Sequence, residues 1–251
     1  MEIVNFQKES GEQSGLRLVA EKKASKDPEI QKQFVSFQFL RIDPAWRKLD
    51  SHTKSRAREE LQNVYESFRS QSLLFSYSLV GFDAKADLMF WRVGTSLDLV
   101  QDMTSALFQT ELGHYLQTID NYLSVTKNMM FTNGGALDRL HVPAGTKKYH
   151  FLYPCAKNKD WYEKTREERD AMIEENFMVG KRFTNISVHM THAFGFSEHE
   201  YVISFETDEP RDFLALAEEL QQTPSSRFAL RGRPVYTCRQ RSLVECLETL
   251  G

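Results

Sequence analysis

The chain has 251 residues, with 32 Lys plus Arg against 35 Asp plus Glu, 41% hydrophobic and 12% aromatic residues, and only 12 Gly and 7 Pro. That composition excludes disordered, collagen-like and low-complexity classes. A formal charge of −3 offers no basic excess to neutralise phosphates, so nucleic acid is not an expected partner.

The first thirty residues alternate polar and charged groups and lack the apolar run of about 7–15 residues that a signal peptide needs. They are expected as an extension over residues 1–32, either loosely docked or a binding arm. No later segment approaches the run of about 18 apolar residues of a membrane span. The three cysteines, Cys155, Cys238 and Cys246, have no CxxC spacing, which fits neither a disulfide framework nor a zinc ribbon and points to a reducing cytoplasm.

In chain order, QFVSFQFLRI (33–42) alternates Val35, Phe37 and Phe39 with polar residues, a strand with one buried face closed by Pro44. Leu61, Val64, Tyr65 and Phe68 then recur at helical spacing over 51–69. LLFSYSLVG (73–81) and ADLMFWRVG (86–94) read as a hairpin. A helix capped by Thr95, with Asp98 reaching back, ends at Gly113, and NYLSVTK (121–127) is a strand. The order strand, helix, hairpin, helix, strand is that of a ferredoxin-like unit.

The same order recurs. KKYHFLYP (147–154) is a strand and Thr165-x-x-Glu168 caps a helix to Val179. Strands follow at 183–191 and 200–206, then a helix from Asp208 to about Gln221 and a last strand near Pro234–Arg239. Residues 129–146, with Asn133-Gly134-Gly135, form a long connector, and 241–251 a C-terminal tail. The expected fold is therefore α+β: two fused βαββαβ repeats, 33–128 and 147–240, each covering the other's open sheet face.

Two stretches narrow the reading. SLVGFDAKADLMFWRVGTSLDLVQDM with GHYLQTIDNYLSV, and more strongly YPCAKNKDWYEKTREERDAMIEENFMVGKRF with HAFGFSEHEYVISFETDEPRDF, resemble the chlorite dismutase superfamily, which includes the coproheme decarboxylases. The similarity runs from about Phe34 to Tyr236, and Tyr-Pro-x-x-Lys followed by Trp-Tyr is its most specific piece. The resemblance implies a haem or coproheme held by the second repeat and a homo-oligomeric, pentameric ring.

It also assigns Tyr153 and Lys157 as catalytic candidates: in coproheme decarboxylases this Tyr is the radical-forming group beside a propionate and the Lys assists decarboxylation. The residue types suit that chemistry, since a phenol can be oxidised and then accept a hydrogen atom from the propionate, and an ammonium pairs with a carboxylate. From the residues alone, Tyr153 reads as a strand-end aromatic and Lys157 as a solvated loop charge.

Aligning Gly180-Lys181 with the family's Gly-Arg or Gly-Lys pair puts Asn176 where the proximal His should be, and an amide oxygen is a poor iron donor. His189 falls at or next to the family's distal Arg or Gln. It is an iron ligand from the opposite face, a polar distal group, or a strand histidine. Without the distal Arg, chlorite decomposition is not expected.

The function expected is haem or porphyrin binding with peroxide-dependent, coproheme decarboxylase-like oxidoreduction. The alternatives are a non-haem binding or assembly protein and transient tetrapyrrole carriage. His189 and His192, three apart in a strand, face opposite sides and cannot share a metal ion. Cys155 has no resolving partner and reads as an inert thiol. Walker, GxGxxG and GxSxG motifs are absent, and no carboxylate pair is singled out.

Overall fold

A computed structural model describes residues 33–126, 145–230 and 235–251. The expected extension (1–32) and residues 129–144 of the expected connector lie outside the described residues. Those described form eight strands: β1 Phe34–Ile42, β2 Ser72–Ser78, β3 Leu88–Gly94, β4 Leu116–Val125, β5 Tyr149–Cys155, β6 Ser187–His192, β7 Tyr201–Thr207 and β8 Tyr236–Gln240. They close into one antiparallel barrel in the order β1-β3-β2-β8-β5-β7-β6-β4. Each repeat contributes four neighbouring strands, and two short seams join the repeats, Val125↔His192 and Tyr77↔Gln240 with Ser78↔Arg239.

Period-two alternation divides every strand between the barrel interior and an outward face. Val35, Phe37, Phe39, Tyr77, Met89, Trp91, Leu152, Val202, Tyr236 and Cys238, drawn from both repeats, form one interior cluster. Stacking of Phe39 on Tyr236 (3.8 Å) and of Phe37 on Trp91 (5.3 Å) fills the lumen. The barrel is thus a packed core in which each sheet buries its apolar face against the other.

The outward face of the first repeat is sealed. Helix α1 (Ser51–Ser67), α2 (Leu97–Phe108) and α6 (Leu243–Glu248) pack Leu61, Tyr65, Met103, Leu107, Leu243 and Leu247 onto Leu40, Leu74, Leu88 and Phe90. Polar groups at outward positions are buried there too. The Arg92 guanidinium donates to Thr104 Oγ1 (2.7 Å) and Ser36 Oγ (3.0 Å).

Helix α1 is capped by Asp50, whose carboxylate accepts from Thr53 N–H. The structure departs from the sequence reading at two other helices. At α2 the cap is Ser96, not Thr95, and the helix ends at Phe108. Residues 241–251 are not a tail: Ser242 and Glu245 form a capping box, and Leu243, Cys246, Leu247 and Leu250 are buried in the first repeat's core. Spaced 3–4 residues apart, those apolar positions make one packed helix face.

The second repeat carries α3 (Lys159–Glu163), α4 (Arg166–Lys181) and α5 (Pro210–Gln222), of which α4 and α5 pack Val179 and Leu216 against Phe151 and Phe205. Helix α4 opens with the expected Thr165–Glu168 capping box.

Candidate functional site: the outward face of the second repeat

The outward positions of β5, β7 and β6 are Tyr149, Phe151, Tyr153 and Cys155, then Tyr201, Ile203, Phe205 and Thr207, and Val188, Met190 and His192. At one end this face is filled like its counterpart, because Phe213 of α5 stacks on Phe151 (4.0 Å, 12°) and packs against Phe205 (5.2 Å). At the other end Tyr153, Ile203, Val188, Met190, His192 and Tyr201 are only half-buried. The matching positions of the first repeat, Leu40, Leu74, Leu88 and Phe90, are closed off. The second repeat therefore keeps an uncovered, largely apolar and aromatic surface beneath α4.

Polar groups converge beside it. Lys157, four residues beyond Tyr153, donates from Nζ to the Ser225 carbonyl (2.8 Å) and lies over the Trp161 ring (4.6 Å). Its backbone N–H donates to Glu200 Oε2 (2.6 Å). Burial pushes the Lys157 ammonium below the usual lysine range, with Cys155 and Glu200 opposing the shift. On α4 the Asn176 side chain donates from Nδ2 to Ser225 Oγ (2.7 Å). Its Oδ1 is buried and has no hydrogen-bond partner. Ser225, buried on the turn after α5, thus ties Lys157 and Asn176 together. Tyr153, Lys157 and Asn176 are brought to one region of the repeat, and Lys157 is not a freely solvated charge.

His189 does not join them. It occupies an inward position of β6 opposite Ser204, and its Nε2 lies 3.2 Å from Glu206 Oε2 inside the barrel. Of the three roles open to His189, this inward position agrees with that of a strand histidine, and by strand parity Val188, Met190 and His192 face outward instead. His192 stands edge-on to Tyr201 (5.3 Å).

The sequence reading also missed a buried polar cluster around Glu206. Its Oε1 accepts from Tyr77 O–H (3.1 Å), and Gly145 N–H donates across both carboxylate oxygens (2.9 and 3.1 Å). His150 Nδ1 stands 3.7 Å from Oε1. Trp91 packs against both imidazoles at 5.1 and 5.5 Å.

Burial alone would raise the Glu206 carboxyl, but the His150 and His189 side chains outweigh it and hold the group near about 2. His150 itself is pushed below its usual value by burial. A neutral His150 beside an ionised Glu206 reconciles the two directions, with the O–H and N–H donors carrying the carboxylate. Gly145 N–H occupies the carboxylate bisector that a bidentate metal would need. Among the described residues no group of three His, Cys, Asp or Glu is arranged to hold a metal ion. Inward Glu206 and His150 were readable as polar breaks in the alternations HFLYP and VISFET.

Cys155, Cys238 and Cys246 are buried, and no disulfide joins cysteines among the described residues. No helix among the described residues is long and apolar enough to cross a membrane.

A closed barrel of two ferredoxin-like repeats, with one outward face sealed and the other left partly uncovered, defines a tandem α+β barrel protein whose candidate site is on the second repeat. A family model described as "Chlorite dismutase" matches residues 54–241, and the chain belongs to that family. It is 21% identical over 227 residues to a chlorite dismutase of Ideonella dechloratans, covering 87% of this chain and 80% of that one. It is 24% identical over 167 residues to a coproheme decarboxylase of Mycolicibacterium smegmatis, covering 64% and 70%. Among solved structures, a mutant chlorite dismutase of Candidatus Nitrospira defluvii superposes with a TM-score of 0.79 at 25% identity, over 87% of this chain and 95% of that one.

Proposed function

We propose that the chain binds a haem-class tetrapyrrole on the outward face of its second repeat, between β5–β7–β6 and α4. The observation that carries this reading is the contrast between the two repeats. Tyr153, Val188, Met190, His192 and Ile203 remain half-buried where the first repeat is sealed. A flat apolar ring gains by covering such a surface, at roughly 25 cal/mol per Å2 of apolar area removed from water. Lys157 supplies a cation for the ring's carboxylates, which a chain with a net charge of −3 offers only locally. When bound, an iron-bearing ring supplies redox chemistry that side chains lack.

The finer reading, peroxide-dependent decarboxylation of propionates as in the coproheme decarboxylases, rests on Tyr153 and Lys157 standing four residues apart at the edge of this face. Tyr153, once oxidised to a phenoxyl radical with the added peroxide as oxidant, would accept a hydrogen atom from the propionate, and Lys157 would be the carboxylate partner. A family member that binds no tetrapyrrole and serves another binding or assembly role is the competing reading.

Titrating the purified protein with ferric coproporphyrin and with haem separates these readings. Binding predicts a saturable shift of the Soret band near one equivalent, lost in Ile203→Trp, whose indole fills the uncovered face. No saturable shift refutes tetrapyrrole binding. For the finer reading, added peroxide should remove carboxyl groups detectably by mass, and intact ring mass after peroxide contradicts it.

A further inference from the structure

We infer, building on the tetrapyrrole reading, that Phe194 sets which ring the site prefers: protoporphyrin, the ring of haem, over coproporphyrin. Strands β5, β7 and β6 present Cys155, Tyr201 and His192 side by side. Both β5 and β6 run antiparallel to β7, so both leave the sheet at this same end. Two residues further on, β5 supplies Lys157 and β6 supplies Phe194, on flanks two strand spacings, about 10 Å, apart.

Phe194 belongs to the uncovered face. Its ring stands edge-on to Tyr201 (5.4 Å, 85°), the outward residue that His192 also meets. Gly195, at φ +80°, turns the chain back directly after it. The ring is nonetheless 50% exposed. The outward row Val188, Met190, His192 thus ends in an aromatic side chain half open to solvent.

This end of the face is polarised, with a cation at the β5 corner and an aromatic ring at the β6 corner. The turn from Phe194 to Glu200 adds Glu198 and Glu200 and no Lys or Arg. A carboxylate brought to the β6 corner therefore meets apolar surface and like charge, where an ion is costly to place. Every pyrrole of coproporphyrin bears a carboxylate, so no orientation of that ring spares the Phe194 corner. In protoporphyrin two adjacent pyrroles bear only hydrocarbon. One of these can cover Phe194 while the carboxylate of its neighbour meets Lys157.

A rival cation is Arg169 of α4, which lies over the Tyr162 ring (6.0 Å) and whose charge opposes the rise that burial gives the Tyr201 phenol. If Arg169 held a second carboxylate, coproporphyrin would be the favoured ring.

The test measures affinities of the full chain for ferric protoporphyrin and ferric coproporphyrin by Soret absorption. The wild-type protein should favour protoporphyrin. Phe194→Ala should weaken protoporphyrin binding about five- to tenfold, half the worth of burying a whole Phe side chain, and shrink the preference. Phe194→Leu, which keeps an apolar cover, should retain the preference and guards against misfolding of the other variants. Phe194→Arg, which offers a guanidinium to a second carboxylate, should raise coproporphyrin affinity about tenfold and reverse the preference. Lys157→Met should weaken both rings alike.

A wild-type preference for coproporphyrin that Arg169→Ala removes overturns the inference while leaving tetrapyrrole binding intact. So does a ratio of affinities that neither Phe194→Ala nor Phe194→Arg changes, or a Lys157→Met variant that binds both rings as wild type does. Failure of both rings to bind refutes the tetrapyrrole reading itself.

Discussion

Replacing Glu206 by Gln removes the charge at the centre of the barrel while keeping the side chain's size. Glu206 is fully buried, accepts from Tyr77 O–H and Gly145 N–H, and lies 3.2 Å from His189 Nε2. A carboxyl lowered from 4.5 to about 2 stabilises the fold at neutral pH by roughly 3 kcal/mol, at about 1.4 kcal/mol per pKa unit.

Against a total stability of about 5–15 kcal/mol, Glu206→Gln should lower the urea midpoint markedly at pH 7. The pH profile gives a second readout. Because the folded carboxyl is depressed, its contribution is complete above pH 4.5 and is lost as pH falls toward about 2. His150, kept neutral by burial, adds a loss that begins as pH drops below 6.5. The wild type should therefore lose stability progressively with acid, and Glu206→Gln should flatten the segment below 4.5 only. A variant within about 0.5 kcal/mol of wild type, or with an unaltered acid limb, would refute the role given to this carboxylate.

Gly145→Ala should destabilise by about 1–3 kcal/mol, because φ is +67° there and a Cβ would collide with the Phe75 ring; calorimetry showing an unchanged Tm contradicts this. Deleting residues 243–251 exposes the first repeat's core, where each buried aliphatic contributes about 1.5–3 kcal/mol, so the truncated chain should show a strongly lowered Tm or no cooperative transition. Tyr153→Phe should leave ring binding unchanged and abolish any peroxide-driven loss of carboxyl groups, and equal carboxyl loss in the variant would exclude the phenol from that step.

The repeated element order was legible because hydrophobic periodicity is strong in β1, β3, α1 and α5 and the caps at α4 are explicit. Tertiary packing decided the rest. Residues 241–251 read as a tail because so short a segment carries little periodic signal, yet Leu243, Leu247 and Leu250 complete the first core. His189 was left between three roles because a one-residue slip along a strand exchanges its two faces, and its parity shows only with Ser204 opposite and Glu206 within hydrogen-bond reach.

The Glu206 cluster joins Tyr77, Gly145, His150 and His189, separated by up to 129 residues, and no local pattern connects them. Tyr153, Lys157 and Asn176 were nameable only by resemblance. Their link through Ser225 has no sequence signature at all.

The most direct test of the account is the absorption titration of the purified protein with coproporphyrin, metal-free and ferric, beside Ile203→Trp. The account predicts saturable, near-stoichiometric binding by the wild-type chain that the Ile203→Trp indole blocks. A Soret band that never shifts, or one that shifts equally in Ile203→Trp, would contradict a tetrapyrrole site on the second repeat.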